Sequence, residues 1–408
     1  MRRDLLRLVA ATAMTLTTAS VFAGDYAELE LGRYLVQAGD CQSCHTDANG
    51  APFAGARAIP TPFGIIYSRN ITPDTATGIG GWSDEDFYRA LHEGISRDGS
   101  HLYPAFPYPW YTRLSRVDVA AIKSYLDTVT PVRQIIPPNK LNWPLNWRSL
   151  VAVWNKLFFD EGEFHANADK SPEWNRGAYL VEGAGHCSAC HSPKNILGAV
   201  KKHDAFEGGE GENWLAPDLT GRALDGVSEW SADDITAFLM TGVNSRTRAT
   251  GPMAEVVELS TSHLNADDAK AIAAYLKDLP NGASTAAKET AGTATGNSHG
   301  RDLYADNCTA CHMEKGTGQP GIFPPLKGSA VAQSPDPATA IHLVLSGSHA
   351  ASTPSNPNRF GMPPFAGKFS DDDVAALLTY VRSAWGNRAG AVSDSQVDSV
   401  RKAVATNK

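Results

Sequence analysis

The 408-residue chain is expected to be all-α, built as three tandem copies of one small helical unit joined by linkers. Two observations predict this. All six cysteines fall in one five-residue pattern that occurs three times: CQSCH (Cys41, Cys44, His45), CSACH (Cys187, Cys190, His191) and CTACH (Cys308, Cys311, His312). Each pattern also stands between the same two helical signals, which is self-similarity on the scale of a tandem repeat.

The first 23 residues, MRRDLLRLVAATAMTLTTASVFA, place Arg2, Arg3 and Arg7 ahead of an apolar run that ends in Val21-Phe22-Ala23. This is expected to be an export signal cut after Ala23. The threonines in the run and the cleavage-like end argue against a retained membrane anchor. Removing the segment takes the formal charge from -8 to -10, and so acidic a chain is not expected to bind nucleic acid. No later stretch is long and apolar enough to cross a bilayer, so membrane contact is expected to be peripheral, on the periplasmic side of the inner membrane.

The three units are expected at 25–133, 174–281 and 298–388. Each opens on a helical stretch: GRYLVQAGD from Gly32, GAYLVEGAGH from Gly177 and GRDLYADN from Gly300. Each closes on an amphipathic helix: LSRVDVAAIKSYL, LNADDAKAIAAYL or FSDDDVAALLTYV. Ser115, Asn265 and Ser370 are good N-cap residues, followed three positions on by Asp118, Asp268 and Asp373, whose charge suits a helix N-terminus. Tyr125, Tyr275 and Tyr380 then share one register. Glycine at 32, 177 and 300 would let the opening helix cross the closing helix at close range, beside that tyrosine.

The connections differ in kind. Residues 282–297, GASTAAKETAGTATGN, read as a flexible tether. Residues 134–173 are rich in proline and tryptophan, with Trp147, Leu150, Val151, Trp154, Leu157 and Phe158 at helical spacing. That stripe is expected to pack between domains, the other reading being a membrane-surface or partner-binding helix. Residues 389–408 are left as a C-terminal tail.

C-x-x-C-H is the c-type haem attachment signature, in which two thiols form thioethers to the vinyl groups and the next histidine reaches the iron. Zinc would need a fourth ligand that no motif has nearby. A thioredoxin-like pair would want a βαβ context and needs no histidine. Structural disulfides would not place a histidine after the second cysteine three times in three. Three motifs therefore imply three covalent haems c.

The ordering of three such units, the stretch TPFGIIYSRNITPDTATGIGGWSDEDFYRALHEGISRDG at 61–99 and WNKLFFDEGEF at 154–164 resemble the triheme cytochrome c subunit of bacterial membrane-bound dehydrogenases. The likeness covers nearly the whole chain after the signal. It implies three class I cytochrome c-type domains that take electrons from a larger dehydrogenase subunit and pass them to ubiquinone or a terminal oxidase. In such complexes the partner carries pyrroloquinoline quinone, flavin or a molybdenum cofactor, and a small third subunit can be present. Relatives with YPAFPY in the first loop point towards molybdenum hydroxylase or aldehyde-oxidising partners. No nucleotide-binding glycine fingerprint can be placed between a strand and a helix, so the substrate-oxidising site is expected on the partner. A reading from another class is a periplasmic multihaem enzyme such as a peroxidase, using an open haem.

The axial ligands separate these readings. Beyond the signal the methionines are Met240, Met253, Met313 and Met362. Met313 follows its haem histidine directly and cannot swing to the other face, and Met240 lies in a helical run. Met253 in TGPMAEV and Met362 in RFGMPPF are expected in stiff Gly/Pro loops, 62 and 50 residues after their haem histidines, and are the expected sixth ligands. The corresponding position of the first unit is Phe106, 61 residues after His45, in HLYPAFPYPWYT. This stiff aromatic loop is the expected lid of the first haem, and phenylalanine cannot bind iron. His101, on the lid, is the better replacement, ahead of an open or water-bound iron. His92 lies in the helical run EDFYRALHEG.

Overall fold

The computed structural model describes residues 25–211, 214–220, 226–227, 230–280, 298–357 and 360–406. The expected signal peptide at 1–23 and the tether at 282–297 lie outside them. The chain divides between Phe164 and His165 into two compact units. The first holds one C-x-x-C-H motif and the second holds two.

The same scaffold occurs three times. An opening helix leads into a motif helix, a middle helix follows, and a closing helix packs back on the opening one. In the first unit these are residues 25–38, Cys41–His45, Asp84–His92 and Arg116–Leu126. The second copy has Pro172–Tyr179, continued by a π turn Leu180–Ala184, then Ser188–His191, Ala232–Thr241 and Ala266–Lys277. The third has Ser298–Asn307, Thr309–His312, Ala338–Ser346 and Asp371–Ser383.

The closing helices start where the caps require. Ser115, Asn265 and Ser370 each accept the backbone N–H of the aspartate three residues on, at 3.1, 2.8 and 3.1 Å. At Ser370 the Asp373 carboxylate answers by accepting the Ser370 N–H, closing a capping box. Ser83 and Ser231 start two of the middle helices in the same way.

The glycines do what the repeat requires at the crossing. A Cβ on Gly32 would lie 1.9 Å from the Ala121 carbonyl oxygen and 2.9 Å from Cβ of Tyr125. On Gly177 it would lie 2.0 Å from the Ala271 oxygen and 2.9 Å from Cβ of Tyr275. The tyrosine therefore stands beside the glycine in both copies, and only a hydrogen fits between the helices. In the third copy Gly300 is buried and the ring of Tyr304 lies 5.7 Å from that of Tyr380.

The architecture departs from all-α in its loops. Ala58–Thr61, Gly64–Tyr67 and Lys140–Leu141 form a three-stranded antiparallel sheet in the first unit. Gly209–Gly211 pairs with Trp214–Ala216, and Ser348–His349 with Gly361–Met362. These short ladders satisfy backbone groups where long segments return to cover the motif, which a purely helical reading leaves unpaired.

Two segments expected as a linker and a tail are ordered parts of the units. Residues 134–164 fold onto the first unit. Lys140–Leu141 joins the sheet, helix Ser149–Phe158 receives the buried Tyr108 hydroxyl on Asn155, and Arg113 donates to the Gly162 carbonyl. Of the apolar stripe only Val151 is buried, while Trp147, Leu150 and Leu157 are exposed. The expected tail contains helix Asp394–Thr406, which packs on Ala338–Ser346 and Asp371–Ser383 and buries Val397 completely. Its Arg401 donates to Asp371 and to the Ala366 and Phe369 carbonyls. Among the described residues no helix is long and apolar enough to cross a membrane.

Candidate haem sites

Each motif helix presents its histidine at its C-terminal end, and each imidazole is held in the same way. Nδ1 of His45 lies 2.6 Å from the Arg69 carbonyl, that of His191 2.8 Å from Pro217 and that of His312 3.0 Å from Pro324. A backbone carbonyl only accepts, so Nδ1 carries the proton and Nε2 keeps its lone pair. This is the arrangement that fixes the tautomer and ring orientation of a metal-binding histidine. Desolvation lowers the pKa of all three rings while the carbonyl bond opposes it, so at neutral pH each is a neutral imidazole able to donate to a metal.

The cysteines fit the same chemistry. Burial pushes the thiols of Cys41 and Cys187 up to about 12 and that of Cys308 to about 11, so they are protonated at neutral pH. No disulfide joins the six, including the C-x-x-C neighbours. Two thiols and one oriented imidazole per motif match what covalent haem c needs.

The lid positions differ. Met253 lies in the first turn of helix Pro252–Leu259, not in an open loop. It is half-buried against a small cluster of Ala249, Ala254, Val257 and Ala351. The preceding Gly251 is at φ 57° and pressed on Trp214, whose ring a Cβ would meet at 3.0 Å. Met362 is in a strand opposite Ser348 and packs, half-buried, against the core of the third copy. Both are held by regular structure that the Gly/Pro content did not suggest. Met313 is at φ 62°, and its carbonyl accepts from the Tyr304 hydroxyl at 2.6 Å.

In the first unit the lid is tied down by its aromatics. Tyr108 and Tyr111 are buried, and the Tyr111 hydroxyl donates to the Gly39 carbonyl at 2.8 Å, two residues before Cys41. The Phe106 ring stands edge-on to Tyr111 with centroids 5.6 Å apart. His92 is buried but engaged: it stacks on Tyr88 at 4.8 Å, lies 3.5 Å from the Thr112 hydroxyl and approaches Glu161 at 3.7 Å. His101 is different. Its Nδ1 is buried with no hydrogen-bond partner, while its carbonyl accepts from Arg148 at 3.0 Å.

An arginine pair and a single buried arginine carry no sequence signature. Arg69, whose carbonyl orients His45, lines a cavity of about 230 Å³ together with Arg148, Tyr103 and Asn139. Arg248, five residues before Met253, is buried beside the loop that carries Pro324. Single arginines in polar loops look alike in sequence, and only the fold separates these from solvated ones.

Sequence comparison agrees with this geometry. Residues 175–280 and 298–385 match the cytochrome c family. The chain is 38% identical to the gluconate 2-dehydrogenase cytochrome c subunit of Pantoea cypripedii, across 98% of this chain and 96% of that protein. It is 37% identical to the cytochrome c subunit of the quinone alcohol dehydrogenase of Gluconobacter oxydans, across 95% of this chain and 85% of that one. The chain belongs to the family of dehydrogenase cytochrome c subunits. As a member of this cytochrome c family it binds haem c covalently, and its role is electron transfer. It is also 41% identical, over 90% of its length, to a nicotinate dehydrogenase subunit of Pseudomonas putida, of which the match covers 31%.

Proposed function

We propose that this chain is an electron-transfer subunit carrying three covalent haems c, which receives electrons from a dehydrogenase subunit and delivers them to ubiquinone or a terminal oxidase. The observation that carries the reading is the threefold repetition of one histidine geometry, with Nδ1 on a backbone carbonyl each time. The haem supplies a one-electron couple. The protein holds each imidazole in one tautomer and excludes water with an apolar lid, which together set the potential.

The proposed attachment residues are Cys41 and Cys44, Cys187 and Cys190, and Cys308 and Cys311, with His45, His191 and His312 on the iron. Met253 and Met362 are the proposed sixth ligands of the second and third haems, supported by their half-buried places in regular structure. For the first haem we propose His101, supported by its buried, unpartnered Nδ1 and by the engagement of His92 elsewhere. A second imidazole lowers the potential relative to a thioether, so the first haem would be a distinct step of the relay.

The partner is proposed to be a larger dehydrogenase subunit bearing pyrroloquinoline quinone, flavin or a molybdenum cofactor, with a small third subunit possible and the complex held peripherally on the periplasmic face of the inner membrane. Relatives named for gluconate, alcohol and nicotinate dehydrogenases support a catalytic partner without choosing its substrate. The test is mass spectrometry of the complex after gentle detergent extraction. A cytochrome with three haem additions, together with a larger dehydrogenase subunit, is expected; a cytochrome emerging alone overturns the subunit reading.

A further inference from the structure

We propose that Arg248 clamps a haem propionate where the second and third helical copies meet. The inference rests on the haem reading above and adds a residue to it. Arg248 is 7% exposed, and a guanidinium stays charged in any protein environment. Its Nη1 donates to the carbonyls of Gly321 at 3.0 Å and Ile322 at 2.6 Å. Its Nε and Nη2 are buried with no hydrogen-bond partner. A cation so placed is costly unless an anion answers it. The ring of Phe360, 5.9 Å away, supplies only a weak quadrupole.

The geometry selects the anion. Nε and Nη2 form one edge of the guanidinium fork, the edge that takes both oxygens of a single carboxylate. Arg248 lines a cavity of about 30 Å³ together with Val243, Thr247, Thr317 and Pro324, which has room for a carboxylate-sized group and little more. Pro324 is the residue whose carbonyl orients His312, and Arg248 itself belongs to the segment leading to Met253. The site thus lies beside the iron-binding elements of two copies, where the acidic substituents of a haem c are its propionates.

The two copies are already joined here. Trp214 stacks on His342 at 4.1 Å, the Leu215 N–H donates to Thr339 at 3.0 Å, and the Ser352 N–H donates to Glu258. A propionate on Arg248 would add the cofactor to that seam and offset the negative charge near one iron.

The experiment uses the full chain loaded with haem, and covalent haem content is measured first on the unmodified protein. Fewer than three haems there would overturn the functional reading and this inference with it. Resonance Raman spectra and redox titrations are then compared for Arg248→Gln and Arg248→Lys. We expect Arg248→Gln to displace the propionate bending band and to lower the midpoint potential of one haem. Arg248→Lys should restore most of the potential, since the charge is kept, but leave the band displaced, since the fork is lost. The haem concerned is assigned to the second or third motif by which reduced-state methionine methyl resonance moves with it. Should the glutamine variant fail to fold, the band in the lysine variant decides alone. An unchanged propionate band with full haem content, a shift confined to the first haem, or a band that depends on added inorganic phosphate, marking a solution anion, would each overturn the inference.

Discussion

The proposed lid of the first copy and those of the other two all fall between the middle and the closing helix, and they are built from different chemistry. Met253 and Met362 are flexible thioethers held by a helix turn and a strand. Phe106 is a rigid ring within a stack of aromatics hitched by Tyr111 to the residues ahead of Cys41. The first two scaffolds match to the level of a glycine against a carbonyl, so the difference between their lids does not come from how those helices cross. Under the proposed ligands, one repeat keeps its helices while its lid segment changes the axial ligand, and with it the potential.

The comparison breaks most visibly at the methionines. Met253→Ala and Met362→Ala should each abolish one methionine-to-ferric-iron charge-transfer absorption and lower one midpoint potential, whereas Phe106→Ala should leave those absorptions intact. Survival of both bands in the double variant would remove the difference between the lids. The next effect is at His101. Electron paramagnetic resonance of the oxidised protein is expected to show the first haem low-spin, turning high-spin in His101→Ala. A high-spin signal in the unmodified protein would mean an open iron and favour the enzyme reading, and an unchanged low-spin spectrum in the variant would exclude His101.

Two further tests sharpen the shared half of the comparison. Gly32→Ala and Gly177→Ala drive a Cβ into a backbone carbonyl that cannot step aside, and each is expected to cost about 3 kcal/mol of stability. Denaturant melts of the two variants should therefore match; a mild Gly32→Ala would show that the first crossing is looser. Removing the closing-helix caps with Ser115→Ala, Asn265→Ala or Ser370→Ala should cost about 1 kcal/mol each in the same assay.

The smallest expected effect is a pH dependence. Asp86 is held below the usual carboxylate range by the backbone N–H and hydroxyl of Ser83, and Asp373 by the hydroxyl and N–H of Ser370 and by His299. A depressed folded pKa contributes stability above the unfolded value of about 4 and loses it as the pH falls through the folded value. Melting temperature should thus fall on acidification below about pH 4, with a shallower fall in Asp373→Asn; an equal slope in both proteins would remove the cap carboxylate from the account.

What was legible in the sequence was local or repeated. The three C-x-x-C-H motifs, the caps at Ser115, Asn265 and Ser370 and the crossing glycines with their tyrosines could be read because a short-range rule fixes each, and recurrence excludes chance. The extent of the first unit was not legible. Residues 134–164 look like a linker because they are rich in proline and tryptophan and hold only one short helical stripe, yet their backbone and polar groups find partners at Phe63, Ile65, Tyr88, Tyr108 and Arg113, far away in sequence. The C-terminal helix was missed for a related reason, since Val397 is informative only once Ala338–Ser346 and Asp371–Ser383 offer a surface to bury it. The sequence by itself determined that six cysteines and three histidines fall in one repeated motif and where the capped closing helices start, because these depend on neighbours along the chain. Only the tertiary structure decided that carbonyls 24, 26 and 12 residues beyond the histidines would orient them, that His92 is engaged and His101 Nδ1 is not, and that Arg248 is buried with half its fork unanswered. Those outcomes depend on which distant groups share a desolvated space, where an unpaired donor is costly and a neighbouring carbonyl decides a tautomer, and no short-range pattern carries that information.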